Sequence, residues 1–456
     1  MFFARIARMM AVAAVTGVMT SPAAQGGSEA FQLPAAPLPY MLGGQVTVVW
    51  QHQPAFRSPY QGPRSLRPDT ENAVSHSYTL YTGVRLLPWL DLYVDPEMIR
   101  GDGISGGVGL AGFTNGEVIR NPEAGQSPYL ARAFLRATIP LSGESAAQER
   151  DLLEMGGSLP TRRIVLTGGV LSSADIFDAN AYANSTRTQF LNWSFINDTA
   201  WDFAADTRGY TRGVAVEWIN PAWAVRLGAF QMPTVANGLD LDGDLLQAHG
   251  DQMEVEVHPA FLAARPTVLR AMVYGNHARM GDYRESLALA ARQGGTPDIT
   301  RTRRTNRVKY GFTLNVEQPL TEDANTGLFA RFGWNDGATE TFCYTEADWT
   351  TSVGAQVAGS RWGRGDDRLS VGVAANGLSD AHADYLAAGG LGFELGDSRL
   401  SYRPETIVET YYLAQLTGWA GLTVDYQFIA DPGDNRARGP VSVVSLRLHL
   451  QYLLGR

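Results

Sequence analysis

The polarity of the chain alternates at nearly every position in residues 441–452, VSVVSLRLHLQY. Leu446, Leu448 and Leu450 fall on one parity, whereas Arg447 and His449 fall on the other. Because successive side chains of a β-strand point to opposite faces of the sheet, this strand would have one apolar face and one charged face. A strand with lipid on one side and a water-filled lumen on the other shows this pattern.

The same alternation recurs from residue 45 to the C-terminus. The candidate strands are residues 45–51, 74–86, 90–98, 129–140, 163–171, 209–218, 222–230, 252–258, 267–274, 307–317, 327–334, 351–357, 369–374, 405–416, 421–429 and 441–452. Their number is about 16, an even number typical of single-chain outer-membrane barrels. We therefore predict an all-β fold, a transmembrane antiparallel β-barrel of about 16 strands.

Long polar segments and short turns separate these strands. The long segments are residues 52–73, 99–127, 172–208, 231–250 and 275–306, and short turns lie at 219–221, 259–266 and 417–420. Outer-membrane barrels have longer extracellular loops and short periplasmic turns, so this asymmetry agrees with the predicted fold.

The N-terminus has the features of an export signal. Arg5 and Arg8 precede a short apolar core over residues 9–19, and Ala23 and Ala24 are small residues suited to cleavage. This core is shorter than the roughly 20 residues that a membrane helix needs. We predict a cleaved signal peptide over residues 1–24, an N-terminal lead-in over 25–44 and one barrel domain over 45–456.

The composition argues against several classes of protein. A net charge of −9 disfavours nucleic-acid binding. Cys343 is the only cysteine, which rules out an intramolecular disulfide and a multi-cysteine zinc site. A mean hydropathy of −0.14 is too low for a helical membrane protein. Lys309 is the only lysine, so cationic chemistry rests on arginine. No cofactor or metal is predicted.

Two glycine-rich strings resemble catalytic motifs. Residues 103–107, GISGG, match the GxSxG nucleophile elbow around Ser105, and residues 107–112, GVGLAG, match GxGxxG. Both motifs need a strand before and a helix after them, and the following residues 111–116 favour no helix. A flexible loop is therefore the better interpretation of both strings.

Two acidic segments could bind a cation, but each has a simpler interpretation. Residues 240–244, DLDGD, lack the full EF-hand spacing and are interpreted as a solvated acidic loop. Glu254, Glu256 and His258 share one face of a predicted strand, where a metal site is an alternative. Strict alternation with Met253 and Val255 is explained more simply by pore lining.

The charged parity of the strands carries the functional signal. Both signs of charge occur on it, and such a wall suits neutral polyols, whose hydroxyls donate and accept hydrogen bonds. Segment 173–208 is predicted to fold inward as a constriction loop whose rings could stack on sugar faces; a surface loop facing lipopolysaccharide is the alternative. The predicted pore-lining or substrate-binding residues are Arg132, Arg136, Arg187, Trp193, Glu254, Glu256, Arg307, Lys309, Glu317, Arg331, Glu409, Asp425 and Arg447.

Several segments, mostly in the C-terminal half, are similar to one known family. They are GLFARFGWNDG at 327–337, GSRWGR at 359–364, NGLS at 376–379, DYLAAGG at 384–390, ETYY at 409–412, DYQ at 425–427 and NRARGP at 435–440, with weaker pieces at 56–66 and 187–193. These residues resemble the OprB family of carbohydrate-selective porins.

The resemblance implies a 16-stranded barrel in the bacterial outer membrane that passes monosaccharides such as glucose by passive diffusion. It implies contact with outer-membrane lipid and lipopolysaccharide, and insertion by the barrel-assembly machinery. Family members are often described as trimers, so a homotrimer is the assembly that the resemblance implies.

Two alternative functions stay open at the level of sequence. A porin of the same architecture could serve other small solutes, such as organic acids or phosphorylated sugars, and excess arginine in the constriction would favour it. A β-rich hydrolase of the outer membrane, or a secreted one, would use Ser105, and Ser105→Ala would abolish its activity. The sequence favours the channel, so no enzyme activity is predicted.

Overall fold

A closed barrel accounts for the described part of the chain. The computed structural model describes residues 39–259 and 265–454, so the predicted signal peptide and most of the lead-in lie outside the described residues. Sixteen antiparallel strands form the barrel, and the first strand pairs with the last. The predicted fold class and strand number are confirmed.

Each predicted strand overlaps an observed one. The strands are β1 (Tyr40–Gln53), β2 (Glu71–Leu87), β3 (Leu90–Gly101), β4 (Tyr129–Pro140), β5 (Ser145–Gln148), β6 (Gly157–Pro160), β7 (Arg163–Leu171), β8 (Thr211–Asn220), β9 (Trp223–Gln231), β10 (His249–Val257), β11 (Val268–Met280), β12 (Arg304–Pro319), β13 (Gly327–Asn335), β14 (Trp349–Ala358), β15 (Arg368–Gly377), β16 (Glu405–Thr417), β17 (Ala420–Ala430) and β18 (Val441–Leu453). Strands β5 and β6 form a separate hairpin, and the barrel continues from β4 to β7.

The two faces of the strands differ in polarity as the alternation predicted. In β18, Leu446 and Leu448 are 42% and 39% exposed on the outer face, whereas Ser445 and Arg447 are fully buried on the inner face. Lipid accepts apolar side chains and closure of the barrel satisfies the backbone of every strand, so this arrangement is the stable one in a bilayer.

Long and short connections alternate around the barrel. The long connections are residues 54–70, 102–128, 172–210, 232–248, 281–303, 336–348, 378–404 and 431–440. At the other end six connections have between two and ten residues, and the seventh, residues 141–162, carries β5 and β6. By this asymmetry the long connections are extracellular and the short ones periplasmic.

Two α-helices lie in the extracellular connections. Helix α1 (Tyr283–Gln293) begins after Asp282, whose side chain accepts from the N–H of Glu285, and α2 (Asp380–Ala387) begins after Ser379, which caps it in the same way. The two helices pack together through Tyr283 and Tyr385, whose ring centroids lie 5.1 Å apart. No helix within the described residues is long and apolar enough to cross a membrane.

The connection of residues 172–210, called the constriction loop below, folds into the lumen. Its Phe177 and Trp201 are fully buried in a cluster that includes Met272 and Phe230 of the barrel wall. The rings of Phe177 and Phe230 meet edge to face with centroids 6.1 Å apart. An apolar core inside the barrel therefore fixes this loop against β9 and β11.

Candidate functional site

Strands β16 to β18 hold one side of the constriction loop. Glu409 accepts hydrogen bonds from the N–H groups of Leu191 and Asn192, at 2.5 and 3.0 Å. Arg447 donates through Nη1 to the carbonyl oxygens of Thr186 and Gln189, at 2.6 and 2.7 Å. A charged side chain on the wall thus satisfies loop backbone that would otherwise be buried without partners.

Strand β13 holds the loop at a second point. Arg331 Nε lies 3.2 Å from Asp178 Oδ1, and neither side chain is exposed. The Arg331 guanidinium also donates to the carbonyl oxygens of Phe195, at 2.9 Å, and Asp178, at 3.0 Å. Asn315 of β12 donates to Asp178 Oδ1 at 2.6 Å, which completes the acceptor's partners on the wall.

The opposite side of the loop is held by β3, β4 and the connection of residues 102–128. Arg187 of the loop forms ion pairs with Glu97 (Nη2–Oε2, 2.9 Å) and Glu117 (Nε–Oε1, 3.1 Å). Arg132 of β4 donates two parallel hydrogen bonds, of 2.8 and 2.6 Å, to the carboxylate of Asp175 in the loop. The constriction loop therefore crosses the lumen between opposing walls.

A cavity of about 250 Å³ lies between this side of the loop and the wall. Four aromatic rings line it: Trp193, Phe203, Tyr210 and Tyr344. Its charged lining residues are three arginines and three carboxylates: Arg132, Arg187, Arg208, Glu97, Glu117 and Asp175. Formal charges therefore sum to zero, and the cavity offers apolar ring faces beside polar groups of both kinds.

Four polar atoms of the cavity lining have no hydrogen-bond partner within the described protein. Three are donors, Arg132 Nη1, Trp193 Nε1 and Asn197 Nδ2, and one is an acceptor, Asn184 Oδ1. Buried polar atoms are hydrogen-bonded in the great majority of cases. All four atoms are shielded from solvent, so a polar solute can supply the missing partners once neighbouring side chains move aside.

Comparison with known proteins identifies the family. The sequence pattern of the carbohydrate-selective porins of the OprB family matches residues 64–452. The chain belongs to the OprB family. The family and the fold place this porin in the bacterial outer membrane, with carbohydrate passage as its function. Proteins of this family and fold are known as channels rather than enzymes.

Solved structures share the fold of this OprB-family porin. Pseudomonas putida OprB, in its high-pH structure, superposes with a TM-score of 0.68 at 17% identity, covering 91% of this chain and 94% of that chain. The outer membrane channel DcaP of Acinetobacter baumannii gives a TM-score of 0.51 at 10% identity, covering 91% and 97%. Comparison with curated protein sequences gives no significant match.

A row of cross-strand ion pairs contains three further predicted residues. Arg226 contacts Glu254 at 2.8 Å and Glu256 at 3.0 Å, and Arg270 links Glu256, at 2.7 Å, to Glu317. The two arginines were absent from the predicted set, although both fall on the polar parity of their strands. The row stiffens the inner wall of the OprB-family barrel across β9 to β12.

The remaining predicted residues lie away from the cavity. Arg307 pairs with Asp282 and Glu285 at the extracellular mouth, at 3.1 and 2.6 Å. Lys309 is fully buried under residues 336–348 and donates to the Thr339 carbonyl oxygen at 3.2 Å. Asp425 is buried on the inner face of β17, and Arg136 contacts Glu154 of the periplasmic connection at 3.0 Å.

The structure thus brings three of the predicted residues together at the cavity, Arg132, Arg187 and Trp193. Their contact with a solute stays a prediction. The other four charged lining residues, Glu97, Glu117, Asp175 and Arg208, were absent from the predicted set. Glu97 has a signal, since it lies on the polar parity of β3, whereas Glu117 lies in an irregular connection without periodicity.

Ser105 serves the fold of an extracellular connection. Its N–H donates to Glu71 Oε1 at 3.0 Å, and its Oγ accepts from the N–H of Arg67 at 2.8 Å. Its φ of 57° places it in a tight turn with no strand-to-elbow-to-helix setting. Across the described ranges, no group of three or more His, Cys, Asp or Glu side chains could hold a metal ion.

Proposed function

We propose that this OprB-family porin passes neutral monosaccharides, such as glucose, into the periplasm by passive diffusion past the cavity beside the constriction loop. The four unpartnered polar atoms around the cavity carry the proposal. After a local shift of neighbouring side chains, the hydroxyls of a sugar accept hydrogen bonds from Arg132, Trp193 and Asn197 and donate one to Asn184. The aromatic rings of the lining stack on its apolar face.

The charge of the cavity favours neutral solutes over organic acids or phosphorylated sugars. Arg187 forms ion pairs with both Glu97 and Glu117, and Arg132 forms an ion pair with Asp175. Because each of these two arginines already faces a carboxylate, neither presents a free positive field to an anion. An anionic solute that paired with either of these two arginines would have to break an existing ion pair.

The rest of the proposal concerns export, assembly and chemistry. A signal peptide over residues 1–24 directs the chain to export, and the barrel-assembly machinery inserts the mature barrel. The outward apolar strand faces contact membrane lipid and lipopolysaccharide, and three copies associate as a homotrimer. No bond of the solute is made or broken.

Liposome swelling tests the proposal. Liposomes that contain the purified, refolded protein are exposed in turn to glucose, a disaccharide and gluconate, an anion close to glucose in size. The rates of entry of the three solutes are compared. Rapid glucose entry with slower gluconate entry supports a porin for neutral monosaccharides. Equal entry of glucose and gluconate would remove the selectivity, and absence of swelling would remove the open channel.

A second measurement addresses the hydrolase alternative. Ser105→Ala leaves glucose entry unchanged under the channel proposal, because Ser105 lies in an extracellular connection away from the cavity lining. Ester hydrolysis by the wild-type protein that disappears in Ser105→Ala would contradict a purely passive role.

A further inference from the structure

One periplasmic connection is much longer than the others. Residues 141–162, called the periplasmic hairpin below, join β4 to β7 and contain the paired strands β5 and β6. The N–H of Leu141 donates to the carbonyl oxygen of Arg162 at 2.8 Å, so the hairpin continues the ribbon of β4 and β7 beyond the barrel. Between β5 and β6, Asp151 and Glu154 pair backbone to backbone and close its tip.

The tip turns back into the lumen. Met155 is 1% exposed and packs in a cluster with Met41, Tyr81 and Tyr93, which all point inward from β1 to β3. Inward-facing side chains of an aqueous barrel are normally polar. The apolar character of this part of the wall is therefore explained by its contact with the tip.

Two glycines of the wall make room for the tip. A Cβ atom at Gly43 would lie 3.0 Å from Leu152 Cδ2, and one at Gly83 would lie 3.0 Å from Met155 Sδ. Both contacts are tighter than ordinary van der Waals packing. A side chain at either position would push the tip away from the wall.

Polar contacts fix the same tip. Arg136 of β4 donates to the Leu153 carbonyl oxygen at 2.8 Å and to Glu154 Oε1 at 3.0 Å. Arg150 donates to the Leu454 carbonyl oxygen at 3.2 Å, which ties the tip to the residue following β18. The inner wall formed by β18, β1, β2, β3 and β4 is called the seat of the tip below. The tip is attached to both ends of this seat, to β4 through Arg136 and to the end of β18 through Arg150.

The seat lies directly on the periplasmic side of the cavity. Arg132 lines the cavity, and Arg136 holds the tip from the same face of the same strand, four residues further toward the periplasm. Four residues of a strand span about 13 Å. A solute that leaves the cavity toward the periplasm therefore meets the tip, and Glu154, whose side chain is 39% exposed, beside it.

We propose that the periplasmic hairpin sets the upper size of the solutes that this porin passes, as a second constriction below the cavity. This inference rests on the proposed function in one respect, namely that solutes travel past the cavity. Glu154 and Arg136 offer an acceptor and donors to a sugar at this exit, while Leu152 and Met155 fill the space that a larger solute would need.

The test is a variant in which residues 142–161 are replaced by Asn-Gly, a dipeptide suited to a two-residue turn between paired strands. Single-channel conductance in potassium chloride is measured in planar bilayers beside disaccharide entry into liposomes. We expect conductance to rise roughly twofold or more, since it follows the free cross-section of a pore, and disaccharide to enter. Unchanged conductance and disaccharide exclusion in a folded variant would overturn the inference.

A variant of unchanged length guards against misfolding. Gly83→Val places a branched side chain against Met155 and is expected to displace the tip and raise conductance in the same direction. Gly275→Val, where the added Cβ atom meets no neighbour within 4 Å, is the matched control. Ion conductance does not depend on sugar preference. A wild-type protein that fails to prefer glucose would refute the proposed function, but the conductance of the hairpin variants would still test the role of the hairpin.

Discussion

Arg331 of the barrel wall and Asp178 of the constriction loop form an ion pair, 3.2 Å between Nε and Oδ1, from which solvent is fully excluded. Two charges withdrawn from water are stable only when each is hydrogen-bonded by several partners. Here the guanidinium reaches two loop carbonyl oxygens and the carboxylate reaches Asn315. This buried pair therefore anchors the loop to the wall more strongly than a solvent-exposed salt bridge would.

Arg331→Met should release this part of the constriction loop. Removal of one partner of a buried pair typically costs about 3–5 kcal/mol, because the other charge stays buried without compensation. We expect higher single-channel conductance, with disaccharide still excluded by the periplasmic hairpin. Arg270→Met removes a wall arginine that pairs with Glu256 and Glu317 instead of the loop, and should change conductance little. Equal effects of the two substitutions would contradict the anchoring role.

Trp193→Phe should weaken sugar binding while preserving ring stacking. The substitution removes the unpartnered Nε1 donor, and one hydrogen bond is worth about 1 kcal/mol, or about fivefold in affinity. Trp193→Ala should lose more, because the stacking face disappears as well. Both are measured as block of the ion current by glucose. Trp218→Phe, on an outward ring that is 51% exposed, serves as the control; a loss of equal size there would refute the assignment.

Arg187→Met should turn the cavity cation-selective. The six charged lining residues sum to zero in the wild type and to one negative charge without this arginine. The reversal potential across a potassium chloride gradient should therefore shift toward potassium. Glu117→Gln should shift it in the opposite direction, toward chloride. Shifts of the same sign in both variants would show that the charge of the cavity does not control selectivity.

Alkaline pH should loosen the extracellular helices. Burial alone lowers the pKa of His382, but the carboxylates of Asp348 and Glu346 outweigh it and raise the pKa to about 9. Burial opposes the charge of Asp348 as well, yet His382 lowers its pKa to about 2. Tyr283 stacks on the imidazole at 4.3 Å, and Lys309 and Asp434 are the other charged groups nearby.

The sign of the pH effect follows from these pKa values. The stabilisation that protonated His382 contributes is complete below its unfolded pKa of about 6.5 and is lost as the pH rises through about 9. The stabilisation that ionised Asp348 contributes is present above its unfolded pKa of about 3.8 and is lost as the pH falls toward 2. Proteolysis of residues 378–404 should therefore be faster near pH 10 than near pH 6, and His382→Gln should remove the difference. Equal cleavage of the wild type at both pH values would contradict this linkage.

The barrel could be predicted from the sequence because its two environments repeat with the period of the strand. Lipid outside and a polar interior alternate along every strand, so residues such as Leu446 and Arg447 report their own orientation. The partners of the inward residues carry no such signal. Arg447 was predicted to face inward, but its contact with the backbone of Thr186 depends on a loop path that no local pattern encodes.

The structure of the connections between strands was also not predicted from the sequence. Helix α1 lies inside a segment predicted as a loop, although Asp282 and Glu285 have the spacing of an N-terminal capping box. The periplasmic hairpin was also unforeseen, because its seat of Met41 and Tyr93 has the apolar composition of an ordinary strand. Both elements are stabilised by contacts distant in sequence, which strand periodicity does not contain.

The solitary lysine gives this porin an internal reporter. Lys309 is fully buried beneath residues 336–348, so the ε-amine is shielded from acylating reagents while that connection stays closed. Every other cationic side chain outside histidine is an arginine, which such reagents leave untouched. The rate at which Lys309 is acylated therefore measures how often the connection of residues 336–348 opens, without any engineered label.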